Sequence, residues 1–247
     1  MKKTAILLVL MALSLLVVSS VSAYVLLSPP RTWDSTPTYI VDNRGASSIT
    51  DSDGGVSAVV NAIKSNQAWN GAGSGTVINA QSGSVASWQL GDGVPMLNFT
   101  DPEHACNGSC LAATFTGYYQ QRSDGSYRIF DADIVTSTKY NWTSTNEPDG
   151  CSGEYYIEGV EVHETGHGLG LAHTDVSGAT MYPSVSSCNN GPATTEQDDE
   201  DGINALYSGG GPGGGSCDLG QKGDPCTSDA ECCSGTCRGP SGRKTCK

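Results

Sequence analysis

Between residues 53 and 69 the apolar side chains fall at Val56, Val59, Val60, Ile63 and Trp69. That three-to-four spacing predicts an amphipathic helix lying on a sheet. A second helix is predicted over about residues 154–169. A third is predicted over residues 194–208, where Ile203, Leu206 and Tyr207 make the buried stripe. A threonine cap and an acidic first turn suit the N-terminal end of this last helix. Strand-like runs lie between these segments: Thr38, Tyr39, Ile40 and Val41 first, then short runs at 76–80 and 95–99. Residues 111–119 and 127–135 are rich in β-branched and aromatic side chains, and the turn Ser123-Asp124-Gly125-Ser126 separates them. The pattern predicts an α+β domain of short strands and three helices.

The two ends of the chain read differently. Residues 1–23 have the order of a secretory signal: Lys2 and Lys3, an apolar run over 5–18, then Val21-Ser22-Ala23 as a small-residue cleavage site. The run is too short for a membrane anchor, so no membrane insertion is expected. Residues 24–208 form the main domain, and the glycine-rich stretch 209–216 is a flexible linker. Residues 217–247 hold six cysteines and no aromatic residue, so disulfides must do the work a core would do.

Composition narrows the choice of partners. Residues 24–216 carry 22 aspartates and glutamates against six lysines and arginines. Such a surface repels nucleic acid and anionic lipid. The ten cysteines all lie beyond residue 100, which fits secretion into an oxidising compartment. The acidic run 198–201 makes calcium a second candidate ion, although no loop has the EF-hand pattern. Asn98, Asn107 and Asn141 begin glycosylation sequons.

The candidate chemistry sits in the second helix, in the stretch EVHETGHGLGLAH over residues 161–173. His163 and His167, four apart, project from one helix face and can share one ion. Gly170 can take the positive φ that stops a helix, and the chain then returns with His173 as a third nitrogen. Three neutral imidazoles leave a tetrahedral zinc one open position, the mark of a catalytic site. Glu164, between the first two ligands, is the candidate general base for hydrolysis. Gly166 and Gly168 weaken the helix by about 1 kcal/mol each relative to alanine, and the expectation is that they admit another backbone.

Met181-Tyr182-Pro183 begins eight residues beyond His173. Together with HExxHxxGxxH, this turn resembles the metzincin metalloproteases and, within them, the matrixins. Trp33 before Thr38-Tyr39 is similar to the family's first strand, and Leu111-Ala112-Ala113-Thr114-Phe115 to its substrate-binding edge strand. Asp198-Asp199, Gly202-Ile203 and Leu206-Tyr207 are similar to its closing helix. The resemblance spans residues 31–208. It implies a zincin-like twisted mixed sheet, with helices above a cleft and a smaller irregular part below.

By the same resemblance His163, His167 and His173 hold one catalytic Zn²⁺, Glu164 is the base, and Met181 forms the floor. Leu111, Ala112, Ala113, Thr114, Phe115, Tyr182 and Pro183 are the implied substrate contacts. The reading is of a secreted, monomeric endopeptidase acting on extracellular proteins or peptides. A non-catalytic binding, inhibitory or toxin-like protein, with the protease domain as carrier, is the alternative. Thr174 stands where matrixins carry serine, Val185 where they carry tyrosine, and the histidines of a second, structural zinc are missing.

Four cysteines precede the linker, so three pairings are open to them. Cys106–Cys110 and Cys151–Cys188 are the favoured ones; a second metal site is the alternative. The tail, with adjacent Cys232 and Cys233, resembles knottins, which implies Cys217–Cys233, Cys226–Cys237 and Cys232–Cys246 among 15 connectivities. Its expected role is to anchor the enzyme to an extracellular surface or matrix partner.

Overall fold

The computed structural model describes residues 23–72, 77–85, 90–101, 104–122 and 126–207, with 226, 237–239 and 244–246 of the tail. The signal expected over 1–23, except Ala23, and the linker expected over 209–216 lie outside the described residues. So do the tail pairings expected from sequence, although Cys226 is itself disulfide-bonded.

A six-stranded sheet carries the main domain. β2 (Arg31–Thr32), β3 (Thr38–Asp42), β4 (Asn79–Gly83), β5 (Met96–Asn98) and β7 (Tyr127–Thr136) are parallel, and β6 (Ala112–Gln121) lies antiparallel along one side of β7. The other side of β7 is shared by β2 and β5, and β3 and β4 follow. Parallel strands are covered on both faces. Accordingly β7 is buried at every residue from Asp131 to Thr136. Among the described residues β6 pairs only with β7, so its outer edge is open for another strand.

Three α-helices are described: α1 (Val56–Lys64), α2 (Ile157–Leu169) and α3 (Gln197–Tyr207). Each is shorter than the sequence predicts, for a local reason. Gly55 precedes α1 in the left-handed region and Ser65 ends it extended, so Trp69 falls in a separate 3₁₀ turn. That turn lets the fully buried indole reach Val162 O of α2 at 2.8 Å. α2 starts three residues late because Tyr155–Tyr156 (β9) pair with Trp142–Thr143 (β8). α3 starts at Gln197 without a threonine cap: the Asp199 carboxylate reaches back to the Glu196 N–H at 2.9 Å, one arm of a capping box. The strand expected at 76–80 is β4, displaced to Asn79–Gly83 by its parallel register with β3, Thr38 against Asn79.

The core lies between sheet and helices, where Tyr39, Val41, Ile63, Trp69, Leu97, Ile134, Ile157 and Leu169 are buried. Cys106–Cys110 closes the loop before β6, and Cys151–Cys188 ties the approach to α2 to the chain beyond Met181. In the tail, β11 (Cys237–Arg238) and β12 (Thr245–Cys246) form an antiparallel pair. Of the three sequons, Asn107 and Asn141 are exposed. Asn98 is buried and its side chain bonds Thr100, so that sequon is closed to modification in the folded chain.

Candidate active site

Two turns of α2 set His163 above His167, with ring centroids 4.8 Å apart. Gly170, at φ 113°, ends the helix; a Cβ there would lie 2.3 Å from the Arg31 carbonyl oxygen, so only glycine fits. The chain then reverses into β10 (Leu171–Ala172), which pairs antiparallel with β1 (Val25–Leu26). Directly after His173, the Thr174 N–H donates to Met181 O at 3.0 Å. His173 is therefore gripped on both sides and turned toward the helix.

Hydrogen bonds fix the tautomers. His163 Nδ1 donates to Thr180 O at 2.6 Å and His167 Nδ1 to Leu171 O at 2.8 Å, which leaves each Nε2 with a bare lone pair. Both Nε2 atoms lie 3.2 Å from Nε2 of His173. Converging lone pairs repel unless a cation sits among them. A tetrahedral zinc with bonds of about 2.0–2.1 Å separates its nitrogens by about 3.3 Å, so the three rings fit that ion. Burial pushes His163 and His167 down to about 4, which keeps both neutral and able to bind metal at pH 7.

Glu164 is buried beside this cluster. Burial raises its carboxyl, while His167 and the Thr114 hydroxyl pull the other way. One turn earlier Glu161 is wholly buried and burial pushes it up to about 8. Thr136 Oγ1 donates to its Oε1 at 2.7 Å.

Met181 is buried against the same helix, 2% exposed. A Cβ on Gly166 would stand 2.4 Å from Met181 Sδ and 2.6 Å from the Trp69 ring, and one on Gly168 would stand 2.0 Å from Tyr39 Oη. The helix glycines thus admit side chains, the Met181 thioether and two aromatic rings. The backbone expected there from sequence is not what approaches. Trp33 Nε1 donates to Gly168 O at 2.8 Å and Tyr207 Oη to Leu169 O at 2.6 Å, which satisfies carbonyls at the end of α2. Thr180 and Met181 hang from the Asp199 carboxylate through their N–H groups, at 2.7 and 3.0 Å.

A cleft of about 790 Å³ opens over the histidines. Of the expected substrate contacts, Leu111, Ala112, Ala113, Thr114, Tyr182 and Pro183 line it. Phe115 does not, although its neighbours Thr114 and Thr116 do. Residues the sequence reading passed over also line it, chiefly Arg31, Tyr140, Tyr155 and Val160, as does Val185, which departs from the family's tyrosine. Val160 could have been found, being one helical turn before Glu164; the two tyrosines arrive by long-range packing that no spacing reveals. Among the described residues the groups with metal-ligand spacing are the three histidines and Cys151, Glu154 and Cys188, whose sulfurs are bonded to each other. The acidic run 198–201 is not such a group: Asp199 serves backbone N–H groups and Asp201 accepts from Gln197.

Comparison with known proteins adds to this geometry. The matrixin family model matches residues 100–208. The chain is similar to human neutrophil collagenase, with 42% identity over 75 residues, covering 30% of this chain and 15% of that protein. Bovine interstitial collagenase is 44% identical over 66 residues, 27% of this chain and 12% of the relative. Xenopus laevis matrix metalloproteinase-18 is 39% identical over 117 residues, 45% of this chain and 22% of the relative. The chain spans less than a quarter of the length of these relatives.

Proposed function

We propose that the matrix metalloproteinase-type catalytic domain this chain carries is a secreted zinc-dependent endopeptidase, with His163, His167 and His173 as ligands and Glu164 as base. The observation that carries the reading is the convergence of three Nε2 atoms, two contacts of 3.2 Å, beside a buried carboxylate. Zinc, when bound, supplies Lewis-acid chemistry: it polarises a peptide carbonyl and lowers the pKa of a water to about 7. Glu164 would take a proton from the attacking water and later hand it to the leaving nitrogen. The open edge of β6 offers main-chain partners to an extended peptide, a mode of docking tolerant of sequence. Leu111, Tyr140, Tyr155, Val160 and Val185 give the cleft apolar lining, which favours an apolar substrate side chain.

Several features support action outside the cell: the apolar leader, two disulfides in the main domain, and a strongly acidic surface. Among the described residues no helix is long and apolar enough to cross a membrane. Residues 24–208 would then be the catalytic unit, with 217–247 a separate cysteine-rich module that anchors it to an extracellular partner. The test is incubation of the chain with a mixed peptide library beside its Glu164→Ala variant. Both should bind zinc and only the parent should cleave; zinc binding without cleavage by either would favour a non-catalytic binding protein.

A further inference from the structure

α2 carries three buried glutamates three residues apart, and each meets a threonine hydroxyl from the strands and loops packed against the helix. Thr145 Oγ1 donates to Glu158 at 2.7 Å, Thr136 Oγ1 to Glu161 at 2.7 Å, and Thr114 Oγ1 to Glu164 Oε2 at 2.6 Å. The glutamates of the first two pairs do not line the cleft. The third holds the carboxylate that the proposed function makes the base, and the inference below rests on that reading.

We propose that Thr114 is a positioning residue for Glu164, holding Oε2 so that Oε1 alone takes and returns the proton. The hydroxyl has one proton and two acceptors in reach, Oε2 at 2.6 Å and the Glu164 carbonyl oxygen at 2.9 Å. A charged acceptor makes the shorter and stronger bond, so the proton goes to Oε2. An oxygen that already accepts a hydrogen bond is the less basic of the two. The O–H bond of the attacking water therefore breaks toward Oε1, and the new O–H bond there later breaks toward the leaving nitrogen. The Thr114 bond to Oε2 persists through both transfers.

The placement also joins binding to chemistry. Thr114 belongs to β6, the strand whose open edge would take the substrate backbone. A peptide paired to that edge stiffens the element that fixes the base. A glutamate side chain left free to change rotamer spends much of its time out of reach of the water, and small misplacements cost large factors in rate.

The experiment compares Thr114→Val, which removes only the hydroxyl, with Thr114→Ser, which keeps it. The valine variant should lose about 10–100-fold in kcat with KM within about twofold of the parent, and serine should restore most of the rate. Zinc content should be equal in all three. A valine variant with full kcat, or one that loses only in KM, overturns the proposal. A second arm needs no activity: the drop in urea midpoint caused by Thr114→Val is measured again in a Glu164→Ala background. If the hydroxyl serves the carboxylate, the drop shrinks by at least about half. If it serves the backbone carbonyl, the drop persists and the proposal fails, whether or not the parent cleaves peptides.

Discussion

The Asp199 carboxylate of α3 accepts the Met181 backbone N–H at 3.0 Å, so the turn that follows His173 hangs from a helix beginning 16 residues beyond Met181. The same carboxylate takes the Thr180 N–H at 2.7 Å and the Glu196 N–H at 2.9 Å. The Thr180 carbonyl in turn fixes the His163 ring. Asp199→Ala strands three N–H donors, and charge-assisted bonds contribute about 1.5–3 kcal/mol each, though not additively. A loss of about 3–5 kcal/mol in urea unfolding is expected, together with weaker zinc binding. Asp199→Asn, which keeps one acceptor oxygen, should lose less.

Gly168 and Tyr39 form a tighter pair. With a Cβ on Gly168 only 2.0 Å from Tyr39 Oη, Gly168→Ala should destabilise despite the roughly 1 kcal/mol that alanine adds to a helix. Among the described residues the buried Tyr39 Oη has no hydrogen-bond partner, so Tyr39→Phe should be close to neutral. The double variant should then recover most of the lost stability, because the nearest ring atom, Tyr39 Cζ, stands 3.3 Å away. Thermal unfolding of the four forms checks this; a double variant no better than Gly168→Ala would contradict it.

Glu161 links stability to pH. Its carboxyl lies near 8 in the folded chain against an ordinary 4.5. Below about 4.5 both states hold the proton and no stability is lost. As pH rises toward 8 the unfolded chain releases a proton that the folded chain keeps, and stability drains away. Glu161→Gln removes that drain. In metal-free protein the variant should match the parent at pH 4 and exceed it by about 3–5 kcal/mol at pH 8. His163 and His167, near 4, act in the opposite sense, losing stability as pH falls from 6.5 to 4, but they do so in both proteins. Denaturant midpoints across pH 4–8 decide it; parallel curves for the two would contradict it.

Two disulfides should contribute unequally. Cys151 and Cys188 are 37 residues apart and Cys106 and Cys110 only four. By loop-closure entropy their removal should cost about 4 and about 2 kcal/mol respectively. Paired Cys→Ala variants, unfolded in urea, measure the order.

Much of this fold and site was legible in the chain because its period and its ligand spacing are local. The interval from His163 to His167, the stop at Gly170 and the return to His173 each need only a few neighbouring residues to be read. The strands 38–42, 96–98 and 127–136 follow from apolar and β-branched runs in the same way. What stayed hidden depends on partners distant in sequence. Nothing near Gly168 announces Tyr39, nothing near Met181 announces Asp199, and Thr114 reads as one more strand residue until α2 is laid against β6. Helix ends were misread for a related reason: the capping of α3 comes from a side chain inside the helix, and the start of α2 is set by strand pairing with Trp142–Thr143.

The central claim, one zinc held by three histidines and served by Glu164, is tested most directly by titrating metal-free protein with zinc while following peptide cleavage. Cleavage should rise linearly and stop rising at one equivalent in the parent, while Glu164→Gln binds the same single equivalent and stays silent. Binding without cleavage in the parent, or cleavage undiminished in Glu164→Gln, would contradict the account.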